Sequence, residues 1–132
     1  NEKKAVEYGK EIIKKIRTRE VELSSLIIRT QLKKTIEEYK TISPHVTIAK
    51  KMREKNLPVN IGMLIEYYIA ESNEKKSLIR DRAKLPDEKG KYDIDYYLKN
   101  QILPAVENIF EVFKVDVHQL IEGKKQMKLG EF

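Results

Sequence analysis

KYDIDYYLKNQILPAVENIFEVF, residues 91–113, decides how the rest of the chain is read. Asp93 offers a helix cap, and the helix it starts runs from Ile94 to Phe113. Leu98, Ile102, Val106, Ile109, Phe110 and Phe113 recur at three- and four-residue steps, which lays one apolar stripe along a helix. Pro104 has no N–H and falls inside that stripe, so it should kink or split the helix. A long buried helix after a region of short, broken segments points to an α+β chain.

Outward from this spine, residues 2–17 repeat the helical pattern with Ala5, Val6, Gly9, Ile12, Ile13 and Ile16. Leu26-Ile27-Ile28 reads as a strand, and Leu32, Ile36 and Tyr39 as a short helical turn. Ser43-Pro44 is a start signal, because Ser caps and Pro suits the first helical position. That helix should run to Lys55 with Val46, Ile48, Ala49 and Met52 inward. Met63 to Ala70 and Leu78 to Ala83, separated by the turn composition of Ser72 to Ser77, read as an antiparallel hairpin. Pro86 to Lys91 reads as a loop, and a short helix from Asp116 should end at Gly123. The expected fold is α+β and mainly helical, with a small antiparallel β element between helices.

Composition removes several functions. The 132 residues carry 27 Lys and Arg against 21 Asp and Glu, a net charge of +6. No cysteine is present, which excludes thiolate metal sites and cysteine nucleophiles, and His45 and His118 are the two histidines. The longest apolar run, Tyr67 to Ala70, is far short of a membrane span, so no membrane partner is expected. No glycine pattern forms a phosphate loop, and no serine sits in a nucleophile elbow. Asp93 and Asp95 superficially suggest a two-carboxylate Mg²⁺ site. In a helix, however, such positions lie about 200° apart and do not converge, whereas Asp at a helix start is a cap. What remains is a basic, soluble, intracellular domain suited to a polyanion. Lys50, Lys51, Arg53 and Lys55 cluster on the Pro-initiated helix, and Arg80, Arg82 and Lys84 alternate along the second hairpin strand, so they should share one face.

The order of these pieces resembles the thumb of family B DNA polymerases, most closely the archaeal ones. The resemblance rests on Tyr39-Lys40, Ser43-Pro44-His45-Val46 and Ala49-Lys50. Arg80-Asp81-Arg82-Ala83, Tyr92-Asp93, Tyr96-Tyr97 and Asn100-Gln101-Ile102-Leu103-Pro104-Ala105-Val106-Glu107 continue it, and Lys125 to Gly130 resembles the family's tail. It covers nearly the whole chain. Arg80 stands where hyperthermophile relatives often have glycine.

The resemblance implies a DNA-directed DNA polymerase, a nucleotidyltransferase acting in DNA replication. Its Mg²⁺ ions and catalytic aspartates lie in the palm, so this chain alone should carry no catalytic residue and no cofactor. It also implies a thumb over residues 1–123, starting partway into the family's thumb, with a tail at 124–132. The chain is then an excised fragment or the small subunit of a split polymerase. Expected partners are primer–template DNA and the palm and fingers, at the nucleoid of a prokaryotic cytoplasm. The expected phosphate contacts are Lys50, Lys51, Arg80, Arg82 and Lys84, with His45 and Arg53 beside them. In the tail, Gln126, Leu129 and Phe132 have the spacing of a sliding-clamp-binding peptide. The rival reading is a stand-alone nucleic-acid-binding or protein-interaction module.

Overall fold

The computed structural model describes residues 2–74 and 77–112. The chain divides into two compact units, one built from residues 1–21 and 94–132 and the other from 22–93. The fold is α+β, helices with a small antiparallel sheet, as expected.

In the first unit, α1 (Glu2–Arg17) packs against the helical segment that follows residue 93. Its inward stripe is Val6, Gly9, Ile13 and Ile16, with Ile13 and Ile16 completely enclosed. The helix ends where Arg19 turns to φ 60°; Arg19 N–H then donates to Ile16 O at 3.2 Å and Glu20 N–H to Lys15 O at 2.9 Å. Those two bonds satisfy carbonyls that a helix end otherwise leaves open.

The spine is continuous but changes pitch. α3 (Ile94–Tyr96) leads into a π-helical stretch, Tyr97–Ile102, and then α4 (Leu103–Val112). Pro104 therefore does not break the helix. Its ring excludes ordinary α-helical packing against the carbonyl of Asn100. The wider turn places the Leu103 N–H on Leu98 O, five residues back, and so accommodates the proline. Tyr97 and Leu98 are buried in this stretch, with Tyr96 edge-on to Tyr97. The side chains of Ile109 and Phe110, and all of residues 113–132, lie outside the described part; these include Phe113, His118 and the tail positions Gln126, Leu129 and Phe132.

The second unit is a three-stranded antiparallel sheet in the order β1-β2-β3, covered by one helix. β1 (Ile28–Gln31) pairs with β2 (Leu64–Ile69) in the register Ile28 to Tyr67 through Gln31 to Leu64. β2 pairs with β3 (Ala83–Lys84) through Tyr68 with Lys84 and Ile69 with Ala83. β2 is the central strand: Leu64 and Glu66 face out while Ile65, Tyr67, Tyr68 and Ile69 are buried. α2 (Pro44–Glu54) lies on it through Val46, Ile48 and Ala49, all inaccessible to solvent. α2 starts where Ser43-Pro44 places it, and Asn56 at φ 61° closes its far end.

Two strand expectations shift. Leu23–Leu26 is a 3₁₀ turn, and the strand is Ile28–Gln31 rather than Leu26 to Ile28. Leu78 to Ala83 is not a strand. Ile79–Arg82 is a 3₁₀ helix, with Asp81 N–H donating to Leu78 O at 3.0 Å, and only Ala83 and Lys84 return to the sheet. Successive residues of a 3₁₀ helix turn by about 120°, so Arg80, Arg82 and Lys84 do not share one strand face. Each finds its own partner instead.

Candidate nucleic-acid interface

The start of α2 gathers a compact polar and aromatic group. Ser43 occupies the cap position with extended backbone, yet its hydroxyl does not cap the helix. Its Oγ lies 2.8 Å from His45 Nδ1, while the Ser43 carbonyl accepts from Val46 and Thr47 N–H. His45 Nε2 lies 3.5 Å from the Tyr39 hydroxyl, and the two rings meet edge to face at 5.4 Å. The Tyr39 oxygen also accepts the Lys33 N–H at 3.0 Å, and Lys34 Nζ sits 5.0 Å from the centre of the Tyr39 ring. Burial pushes the His45 pKa down, so the ring is neutral at pH 7. The imidazole thus orients by hydrogen bonding, while Lys34 supplies charge beside it. The sequence reading named His45 as a phosphate contact, took Tyr39 only as part of a short turn and of the family resemblance, and did not single out Lys34. The signal was there, a tyrosine six residues before a histidine across a short turn, but it needed the turn's geometry to become a contact.

The other expected cations divide by partner. The Lys50 ammonium, half-way along α2, has no hydrogen bond or ion pair among the described residues. Arg53 holds Glu37 at 2.7 Å with both side chains mostly in water. That hydrogen bond is the main reason the Glu37 carboxyl lies below its ordinary range. Arg80 donates to the Ile42 carbonyl at 3.3 Å, tying the 3₁₀ helix to the segment that leads into α2. Lys84 donates to Lys89 O at 2.7 Å. Lys51 reaches Ala83 O at 3.3 Å and Glu88 Oε1 at 3.0 Å. Burial raises the Glu88 pKa, but the Leu85 N–H and Lys51 outweigh it and hold the carboxyl below its usual value. Arg82 pairs with the Asp93 carboxylate, and both side chains are mostly buried.

The structure therefore brings His45, Arg80 and the Tyr39–Lys34 pair to the segment before α2. It places Lys51 and Lys84 around β3, and it commits Arg82 inward. Asp93 serves that ion pair, and no group of three or more metal-binding side chains occurs among the described residues. No described helix is long and apolar enough to cross a membrane.

Comparison with known proteins gives a consistent picture. The family model described as DNA polymerase family B matches residues 2–113. A DNA polymerase of Methanocaldococcus jannaschii is 40% identical over 131 residues, covering 98% of this chain and 8% of the relative. One from Thermococcus aggregans is 43% identical over 114 residues, covering 83% of this chain and 6% of the relative. One from Pyrococcus horikoshii is 37% identical over 135 residues, covering 98% and 11% respectively. Among solved structures, the family B DNA polymerase from the hyperthermophilic archaeon Pyrobaculum calidifontis superposes with a TM-score of 0.65 at 32% identity, over 81% of this chain and 14% of that one. The chain thus spans a small fraction of the length of each relative it matches.

Proposed function

Because this chain belongs to DNA polymerase family B, we propose that it is the thumb of such a polymerase and grips primer–template duplex by its sugar-phosphate backbone. The observation that carries this reading is the α2 surface. One helix presents the Lys50 ammonium, and its start holds His45 against Tyr39 with Lys34 alongside. Phosphate contacts of this kind position a duplex without reading its sequence, which suits an enzyme that copies every sequence. Lys50 and Lys34 lead the grip, with neutral His45 as a hydrogen-bonding partner. Arg53 joins by exchanging exposed Glu37 for phosphate, since exposed pairs contribute little. Arg80, Lys51 and Lys84 have donors left over beyond their present bonds. Arg82 belongs to the fold.

Nucleotidyl transfer and its Mg²⁺ fall to the palm of the complete polymerase. Asp93 is engaged by Arg82, and Asp95 lies in the first turn of α3, where a carboxylate complements a helix start. The grip keeps the duplex behind that palm, at the nucleoid, while residues 124–132 engage the sliding clamp through Gln126, Leu129 and Phe132. Calorimetry against the matching clamp tests the tail: loss of binding on Leu129→Ala with Phe132→Ala supports it, and equal binding by both proteins contradicts it.

Fluorescence anisotropy with two duplexes of unrelated sequence tests the grip. The reading expects equal, weak affinities. A strong preference for one sequence, or no binding to either, opposes it.

A further inference from the structure

Glu37 and two cations of α2 form a small constellation whose parts come from different elements. Lys50 and Arg53 are three residues apart on α2, the spacing that makes two side chains neighbours on a helix surface. Against α2 lies the 3₁₀ turn Ile36–Glu38, anchored by buried Ile36. Glu38 N–H donates to Thr35 O at 3.0 Å and Tyr39 N–H to Ile36 O at 3.2 Å, which closes that turn. Arg53 Nη1 donates to both oxygens of the Glu37 carboxylate, at 2.7 and 3.2 Å. That hydrogen bond is the largest of the causes that draw the Glu37 carboxyl below its ordinary range, and the Lys50 charge acts in the same direction. One carboxylate thus answers to two cations assigned to the grip. A carboxylate and a phosphodiester each spread one negative charge over two oxygens, so the same donors suit both.

We propose that Glu37 is a built-in competitor for DNA phosphate: its carboxylate holds Arg53 beside Lys50 when no DNA is present, yields to a backbone phosphodiester, and so sets how tightly the duplex is held. The inference rests on the thumb reading and adds to it a residue that works against the grip. Yielding requires side-chain rotation alone. The Glu37 and Arg53 side chains are 67% and 54% exposed, so the carboxylate swings into water while its turn stays anchored. The anchored turn keeps the displaced carboxylate about one side-chain length from the phosphate, inside the ~10 Å over which charges act at 0.1 M salt. There it repels the phosphate and stands ready to return to Arg53. Each contact is therefore weaker and shorter than the two cations alone would make it. That suits a grip that must let the duplex advance as the primer grows.

The test is fluorescence anisotropy with one labelled duplex at fixed low salt, using the full 132-residue chain. Glu37→Gln should tighten binding roughly fivefold, the upper range of what an exposed ion pair is worth in an equilibrium constant. Glu38→Gln removes the same charge one residue away, but the Glu38 carboxylate accepts from the Thr35 hydroxyl at 2.8 Å, and its effect should stay below about twofold. Placed in an Arg53→Ala background, Glu37→Gln should also gain less than about twofold, because the competition it relieves is gone. No tightening by Glu37→Gln while the wild type binds overturns the inference and leaves the grip standing. Equal tightening by Glu38→Gln, or an undiminished gain without Arg53, overturns it too, since Glu37 would then act as bulk charge. Absence of duplex binding by every variant defeats the thumb reading itself and the inference with it. Thermal melts of wild type and Glu37→Gln should agree within about 2 °C, and a larger fall overturns the inference by assigning the pair to the fold.

Discussion

Asp93→Ala should be the most damaging polar substitution in the second unit. Arg82 and Asp93 are 20% and 13% exposed at their side chains, and the Arg82 Nε is already buried without a hydrogen-bond partner. Removing the carboxylate leaves a mostly buried guanidinium with no other ion pair among the described residues. Breaking a buried pair from one side costs about 3–5 kcal/mol, and the residual exposure here places the expectation near 3. For a chain of this length that corresponds to a fall in melting temperature of about 10 °C. Arg82→Ala should cost less, about 2 kcal/mol, because Asp93 keeps further interactions of its own. The double variant should fall short of the sum of the two, since the orphaned charge disappears. Urea unfolding followed by far-UV circular dichroism measures all three. The same proteins are then titrated with duplex DNA at several salt concentrations, where Arg82→Ala should leave the log–log slope unchanged. A slope flattened by one unit with no loss of stability would refute this reasoning, because Arg82 would then face phosphate and not Asp93.

Leu98→Ala, at a fully buried position in the π-helical stretch, should cost about 2–5 kcal/mol by urea midpoint, and a cost below 1 would mean the spine buries another face. Glu88 has a carboxyl pKa below its unfolded value of 4.5, so the unfolded chain binds the extra proton, and the contribution to stability is present above that value and lost as pH falls from it through the lower folded-state pKa. Glu88→Gln should therefore flatten the acid limb of the stability profile below pH 4.5, and an unchanged limb would remove Glu88 from the account. Gly90→Ala places a Cβ 2.8 Å from the Tyr68 hydroxyl, which itself donates to Glu88 O at 2.6 Å, so a loss of about 1–3 kcal/mol is expected in a thermal melt, and a neutral result would show that the Tyr68 contact yields easily.

Local signals carried well into the structure, and long-range ones did not. Ser43-Pro44 marked the start of α2 because proline's fixed φ and missing N–H act within a few bonds. The stripe of Val6, Ile13 and Ile16 was legible because helical spacing alone decides which residues share a face. Leu78 to Ala83 misled because it follows a turn composition after the apolar run Met63 to Ala70, which looks like the return strand of a hairpin. Its conformation is set by partners distant in sequence, with Arg80 on the Ile42 carbonyl and Arg82 on Asp93. The same limit applied to the cations. Lys51 and Glu88 are 37 residues apart, and nothing local distinguishes Lys51 from its neighbour Lys50, whose ammonium makes no hydrogen bond among the described residues and acts on Glu37 only through its charge. The proline at 104 was visible, but whether it kinks the helix or widens it depends on Leu98 and Tyr97 having a core to fill. The Tyr39–His45 contact became legible only once the 3₁₀ turn Ile36–Glu38 placed the two rings together.

The central claim, a grip on the DNA backbone led by α2, is tested most directly by the salt dependence of duplex binding for wild type beside Lys50→Ala. With Lys34, Lys50 and Arg53 each displacing counterions from one phosphate, the log–log slope should be about −3, and Lys50→Ala should reduce it by about one unit equally for every sequence. A slope unchanged by Lys50→Ala, or an affinity that does not respond to salt, would contradict the account.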